Sequence, residues 1–508
     1  MPFPIRSTSI GTKDDMSMQQ GDGGEYNSPH TSRLMSKRGA GNPMSSYMAA
    51  HGSLAPIGDD GKRNMMTTPE LMRPSPGNPA RKSESQTAVF NLLATVVGGG
   101  VLSLPYALSL TGVILGIVLL LLAAVAADFS LYVLCSCSRR TGKTSFVQVA
   151  YTAFGPWGGG FTTFVLLVLS IFVLIAYMVL VRDVWGGLVG LALGAELDTQ
   201  QLNKVLMCLL ALLLPACLAT SLHAVRHMCY VGFFSAILLT AALGYRSVEY
   251  NNKNPGATMD LKLVADNWGD VMEAFPIMSL AYMCHLNMLS VHSHLVNPTR
   301  ERLRGLLHGT IGLASCLYVV LALCGYLYAY ENTKDDILLN FSPADPVMLL
   351  GRVGMGLTML VAITMMTLPC RDVIYEVAGV IEGAIMACCT PSGYDALNTP
   401  GTPGSPGSSL NSCFKVSLIR HVGTTLGLLL FCLFCATSVP GVGIVWSICG
   451  SSVGFLVCYL LPALLYLKIR AHKKMNARKV GAWAVILVTL VAMYFCTKHA
   501  VTKAIGTL

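Results

Sequence analysis

Two stretches of this chain carry residues whose types and spacing suit the grip of a small charged molecule. The first reads Thr95-Val96-Val97-Gly98-Gly99-Gly100-Val101-Leu102-Ser103-Leu104-Pro105. A glycine inside a helix costs about 1 kcal/mol relative to alanine, and Pro105 removes a further backbone hydrogen bond. Motifs for close helix crossing space small residues four apart, so a contiguous glycine triplet followed by proline marks a break instead. The second stretch reads Phe275-Pro276-Ile277-Met278-Ser279-Leu280-Ala281-Tyr282-Met283-Cys284-His285-Leu286-Asn287. It sets Ser, Tyr, His and Asn within an apolar run, where ligand contact and interhelical hydrogen bonding are both open. A broken helix offers amide donors at one half-helix end and carbonyl acceptors at the other. Such ends fit the two charges of a zwitterion such as an amino acid.

Elements of a particular kind must position these stretches. The chain has 508 residues, 53% hydrophobic and 12% charged, with a mean hydropathy of +0.58. A soluble domain carries about a quarter of its residues as charge, so a water-soluble globule and a soluble multidomain enzyme are excluded. Apolar runs near the roughly 20 residues that cross a bilayer recur at 87–110, 113–134, 160–181, 203–221, 226–244, 271–290, 308–329, 347–369, 418–437, 441–467 and 481–500. Five spans separate the first run from the sixth, an odd number. A second five-helix unit therefore enters from the opposite face, the inverted-repeat arrangement of secondary transporters with broken first helices. The expected fold is an all-α polytopic membrane protein with a 5+5 inverted repeat plus one extra helix. Repeat one covers 86–244, repeat two 271–467 and the extra helix 481–500, together a transmembrane domain over 86–500. Residues 1–85, rich in Ser, Pro, Gly and Met, read as a disordered tail, and 389–412, dense in Pro and Gly, as a disordered loop that is either a plain linker or a phosphorylated one.

Lys and Arg mark cytoplasmic loops. Arg139, Arg140, Lys143, Arg300, Arg302, Arg304 and the cluster from Lys468 to Lys479 fall on one side, and Glu196, Asp260, Asp270, Glu331, Asp335, Asp336 and Asp345 on the other. The tail is therefore cytoplasmic, with Lys498 and Lys503 as exceptions on the outer side. The net charge of +9 follows this distribution and does not point to nucleic acid. Most of the 17 cysteines lie in apolar runs, where free thiols act as small hydrophobes, so no structural disulfide is expected.

Titratable groups at membrane depth are candidate proton carriers: Glu273, His285 and Asp128, with Asp372 and Glu376 nearer the cytoplasmic interface. Thr358, Thr364 and Thr367 on the eighth run either face a ligand or bond their own backbone. The pairs His223/His227 and His292/His294 raise a membrane metalloenzyme as a rival class, but no third ligand box accompanies them. Thr141-Gly142-Lys143-Thr144 lacks the earlier glycine and the strand of a phosphate-binding loop. Asn340-Phe341-Ser342 satisfies the glycosylation triplet, with Pro343 hindering it.

The stretch Asn91 to Ala107, with its glycine triplet and Pro105, resembles the first-helix signature of the amino acid/auxin permease family, which includes the system A and system N transporters. Ser279 to His285 is similar to the same family's segment ending in Cys-His, and Leu368-Pro369-Cys370-Arg371 to its Pro-x-Arg turn. The resemblance runs over about residues 86–500 and implies a LeuT-like fold. It implies a secondary active amino acid transporter working by alternating access in a lipid bilayer, with no enzymatic activity, cofactor or metal. Substrate contacts are then expected at Thr95, Val97, Gly98, Gly99, Gly100, Ser279, Leu280, Ala281, Tyr282, His285 and Thr364. Amides at Gly98–Gly100 would take the carboxylate and carbonyls near Thr95 and Ser279–Ala281 the ammonium. Sodium-coupled members carry an asparagine where Ala94 stands, and Cys-His-Pro-Glu where this chain has Cys284-His285-Leu286-Asn287. These departures imply sodium independence, with protons as the coupling ion or with exchange or uniport. The long tail and cysteine-free outer loops resemble protozoan members, several of which carry cationic amino acids. The expected substrate is a neutral or cationic amino acid such as arginine or lysine. The alternative is a non-transporting amino acid sensor. The expected location is the plasma membrane, with an organelle membrane as the alternative.

Overall fold

The computed structural model describes residues 85–218, 228–256, 261–295, 299–389 and 406–507. Among the described residues all regular elements are helical, with no β-strand. Ten helices are long and apolar enough to cross a membrane, and a pair bent by 50° at Ala88–Val96 and Gly99–Thr111 makes eleven when counted as one span. Each apolar run in the sequence falls on one of them.

Span 1 consists of α1 (Ser85–Val96), a 3-10 turn (Gly99–Ser103) and α2 (Leu104–Thr111). Spans 2 to 5 are α3 (Val113–Thr141), α4 (Phe146–Leu193), α5 (Thr199–Cys217) and α6 (Met228–Lys253). Span 6 is α7 (Trp268–Ala281) followed by α8 (His285–His294). Spans 7 to 9 are α9 (Arg300–Ala329), α10 (Pro346–Cys389) and α11 (Pro406–Ser438). Span 10 begins as α12 (Val442–Cys449), continues through π-helical turns at Gly450–Gly454 and Leu456–Leu460, and ends as α13 (Leu461–Ile469). Span 11 is α14 (Ala477–Thr507).

Several helices outrun their apolar cores. The α4 helix extends beyond 160–181 in both directions and kinks at Gly155, whose φ is 74°. The segment 389–412 is only partly a loop. Cys389 ends α10, residues 390–405 lie outside the described residues, and 406–412 are the first turns of α11. Proline suits a first helical position, and Pro406 is the last proline before Pro440. The α14 helix continues past 500 to Thr507 and carries Lys503 with it. The expected disordered tail and the pair His223/His227 lie outside the described residues.

A tight corner joins α2 to α3 at Gly112, where φ is 76°. A Cβ there would lie 2.5 Å from the Leu263 carbonyl carbon, so both the backbone conformation and the space demand glycine. The broken spans pack into the middle of the bundle: α9 lies against α1, α2 and α3, and α7 lies against α2, α3 and α12. Tyr282 and Tyr318 are among the largest fully buried side chains there.

Candidate functional site

The first break follows from local hydrogen bonding. Val97 N–H still reaches Leu93 O at 2.9 Å, but Gly98 N–H turns to Val96 O at 2.9 Å and Val101 N–H to Gly98 O at 3.2 Å. Gly98 is extended, with φ −120° and ψ −157°, a conformation open to any residue. Close approach is what requires the glycines. A Cβ on Gly98 would lie 3.0 Å from Tyr177 Oη, and one on Gly99 would lie 2.7 Å from Leu180 Cδ1 and 2.9 Å from Tyr177 Cε1. The Tyr177 ring of α4 therefore lies directly on the exposed backbone. Gly100 faces the second break, with Ala281 Cα at 3.8 Å from a Cβ placed there.

The second break spans Tyr282 to Cys284. Tyr282 N–H donates to Ser279 O at 3.3 Å and Met283 N–H to Leu280 O at 2.9 Å, which closes α7 before α8 restarts. Between the breaks lies a cavity of about 50 Å³. Span 1 lines it with Thr95, Val96, Gly98, Gly99 and Gly100, and span 6 with Ile277, Leu280, Ala281 and Met283. Val173 and Tyr177 from α4 and Trp446 from α12 complete the wall. The rings of Tyr177 and Trp446 meet edge to face at 6.3 Å. The Trp446 indole N–H is buried without a hydrogen-bond partner, which leaves a donor for an occupant.

Six of the expected substrate contacts thus converge on one space: Thr95, Gly98, Gly99, Gly100, Leu280 and Ala281. Gly98 departs from the expected amide role, because its N–H is spent on Val96 O. Val97, Ser279, Tyr282, His285 and Thr364 are not part of the lining. The Tyr282 hydroxyl donates to Ser315 Oγ at 3.0 Å and its ring lies 5.2 Å from that of Tyr318. His285 is fully buried with Nε2 at 3.2 Å from Ser130 Oγ, which in turn donates to Cys458 O. It ties spans 2, 6 and 10 together. Thr358, Thr364 and Thr367 each donate to a carbonyl of their own helix.

The other coupling candidates stand outside the cavity. Glu273 is buried and accepts from Tyr106 Oη at 2.7 Å, while Lys503 Nζ lies 2.5 Å from its other oxygen. One carboxylate thereby connects spans 1, 6 and 11, and the expected outer exception Lys503 has its counter-charge. Asp128 pairs with His308 at 3.1 Å between spans 2 and 7. Asn340 donates its side-chain amide to Asn332 O at 2.8 Å within the loop between α9 and α10.

That loop is fastened over the bundle. Asp335 Oδ2 accepts the Gly443 N–H at 2.8 Å, one turn before Trp446. Arg352 of α10 donates to Leu338 O at 2.7 Å, Phe341 O at 3.0 Å and Ser342 O at 3.2 Å. Arg182 of α4 donates to Ala436 O and Val439 O at 3.2 Å and pairs with Asp183 at 2.9 Å. The expected contacts omitted Val96, Ile277 and Met283, which lie in the two quoted stretches, and sequence reasoning missed Val173, Tyr177, Trp446 and Tyr318 altogether. The available signal for the last three was a polar-tipped aromatic inside an otherwise aliphatic span.

A family model described as transmembrane amino acid transporter protein matches residues 81–502. A mouse protein named "Putative sodium-coupled neutral amino acid transporter 11" is 23% identical over 422 residues, covering 83% of this chain and 86% of that protein. A Toxoplasma gondii protein named "Putative amino acid transporter AAT1" is 24% identical over 307 residues, 59% of this chain and 41% of that one. Among solved structures, the crystal structure of MhsT in complex with L-phenylalanine matches with 12% identity, 81% coverage of this chain, 98% of that chain and a TM-score of 0.43. The family is one of carriers, which sets aside the metalloenzyme alternative. Since the family model runs from before the first span into the last, the chain belongs to the transmembrane amino acid transporter family and is an amino acid transporter, not an enzyme.

Proposed function

We propose that this transporter carries small neutral amino acids by alternating access, without sodium, and holds them where spans 1 and 6 break. The observation that carries this reading is the cavity itself, whose twelve lining residues include no acid and no base. A cationic side chain such as that of arginine or lysine calls for a buried carboxylate partner. The span-6 carboxylate of the sequence reading, Glu273, is already engaged by Tyr106 and Lys503. The neutral reading thus narrows the expected neutral or cationic substrate; the name of the mouse relative agrees with it on the substrate, whereas the sodium coupling in that name differs from the sodium-independent reading proposed for this chain. In this account backbone amides of the span-1 break hold the carboxylate, carbonyls near Thr95 and Leu280 the ammonium, and Tyr177, Trp446 and Ile277 surround the side chain.

Sodium independence is supported by Ala94, which offers no side-chain oxygen where the resemblance places an asparagine. Protons are the coupling ion in this reading, with Glu273 the carrier best supported by its contacts to three spans. The distribution of Lys and Arg supports a cytoplasmic N-terminus. A competition panel in reconstituted liposomes, with labelled alanine and labelled arginine, with and without an inward proton gradient, tests the proposal. Alanine uptake stimulated by the gradient and little affected by arginine is expected. Arginine uptake at equal or greater rate overturns the neutral assignment.

A further inference from the structure

The buried hydroxyl of Tyr318 lies where two helix ends meet. Val96 is the last residue of α1 and Ala281 the last of α7. Tyr318 Oη is 2.9 Å from each of their carbonyl oxygens, and the residue is fully buried. A helix C-terminus leaves carbonyls without intrahelical donors and carries about half a unit of negative charge. Two such ends converging in a dry interior repel each other unless something positive or proton-donating stands between them. In transporters with broken helices, carbonyls of this kind are what a cation coordinates.

We propose that the Tyr318 hydroxyl occupies the place of a bound alkali cation between the two breaks, tying span 1 to span 6 without an ion. The inference rests on the sodium-independent reading above and supplies its physical basis. A phenol carries one proton, so at any moment it serves one carbonyl while its oxygen faces the other. The tie is therefore weaker than a coordinated ion and can pass between the two breaks as they move. Neighbouring side chains hold the ring in position. It packs against Tyr282, whose own hydroxyl is anchored by Ser315 Oγ, and that serine donates to Ile311 O at 2.7 Å on the same α9 helix. Tyr318 is a positioning residue here, since it does not line the cavity.

The test uses the full chain in liposomes, with labelled alanine uptake measured in choline, sodium and lithium salts. Wild type is expected to transport at rates within about twofold in all three. Tyr318→Phe is expected to lose about tenfold in choline, the scale of one hydrogen bond, and to recover partly in sodium or lithium as an ion enters between the carbonyls. Thr364→Val, whose hydroxyl bonds Val361 O of its own helix and touches neither carbonyl, is expected to keep the salt-insensitive behaviour of wild type. If Tyr318→Phe transports normally in choline, or is lost equally in every salt, the proposal is overturned while the transport reading stands. If Tyr318→Phe does not fold, wild type alone decides: alanine must raise its melting temperature equally in choline and in sodium, and a shift seen only in sodium overturns the proposal. Uptake of no amino acid by wild type in any salt defeats the functional reading and the proposal with it.

Discussion

A side chain on Gly99 would meet Leu180 Cδ1 at 2.7 Å and the Tyr177 ring at 2.9 Å, distances that require Leu180 or the cavity-lining Tyr177 to shift. Gly99→Val is therefore expected to fold and reach the membrane, since the helices on either side are unchanged, yet to lose more than about tenfold in alanine uptake. Near-normal uptake would show that the break is not the binding site. At Trp446 the unpaired indole N–H predicts a subtler effect. Trp446→Phe keeps most of the ring and removes the donor, so KM should rise by up to about tenfold with one hydrogen bond lost. Thr364→Val is the matching contrast: its hydroxyl serves Val361 O at 2.7 Å, so uptake should change by less than about twofold. Kinetics of the two variants side by side separate cavity-lining residues from those that merely share the membrane depth.

The loop between α9 and α10 behaves as an element with its own electrostatics. Asp336 is fully buried, and one oxygen accepts the Leu338 N–H at 2.9 Å. Burial pushes its carboxyl up to about 8, helped by the negative charges of Asp183 and Asp335 and opposed by the Leu338 amide and Arg352. An ordinary aspartate ionises near about 4. The folded state thus binds a proton that the unfolded chain releases, so the contribution of Asp336 is fully present below about pH 4 and is lost as pH rises through about 8. The melting temperature of the purified protein is expected to fall between about pH 5 and about pH 9, and Asp336→Asn, which has no such proton to lose, should flatten that slope. Equal slopes in wild type and variant would contradict the assignment. None of this was legible in the sequence, where Asp335 and Asp336 look like solvated loop acids. Asp336 is buried and Asp335 half-buried in a loop held by Arg352 at Leu338 O and by the Gly443 N–H at Asp335, contacts made across more than ten and more than a hundred residues.

At the scale of the whole molecule, the apolar length of each run sufficed to find, among the described residues, ten helices long enough to cross a membrane and the bent pair that makes an eleventh, because a bilayer demands continuous hydrogen-bonded helix. The breaks were legible for the same reason: Gly98–Gly100 and the polar run after Pro276 violate that demand locally. The partners of the breaks were not. Tyr177, Trp446 and Tyr318 come from spans 3, 10 and 7, and their meeting is decided by helix rotation and crossing, which hydropathy does not encode. His285 illustrates the converse, a polar residue at the right depth whose imidazole is taken up by Ser130. Helix length mattered as well: α14 reaches Thr507, so Lys503 meets Glu273 and the basic C-terminal end no longer stands without a counter-charge. The central claim is that a small neutral amino acid crosses at the meeting of two broken helices with no sodium. Uptake of labelled alanine into liposomes holding the purified protein, compared in sodium and in choline, measures it most directly. Equal rates in the two salts are predicted; uptake that appears only in sodium would contradict the account.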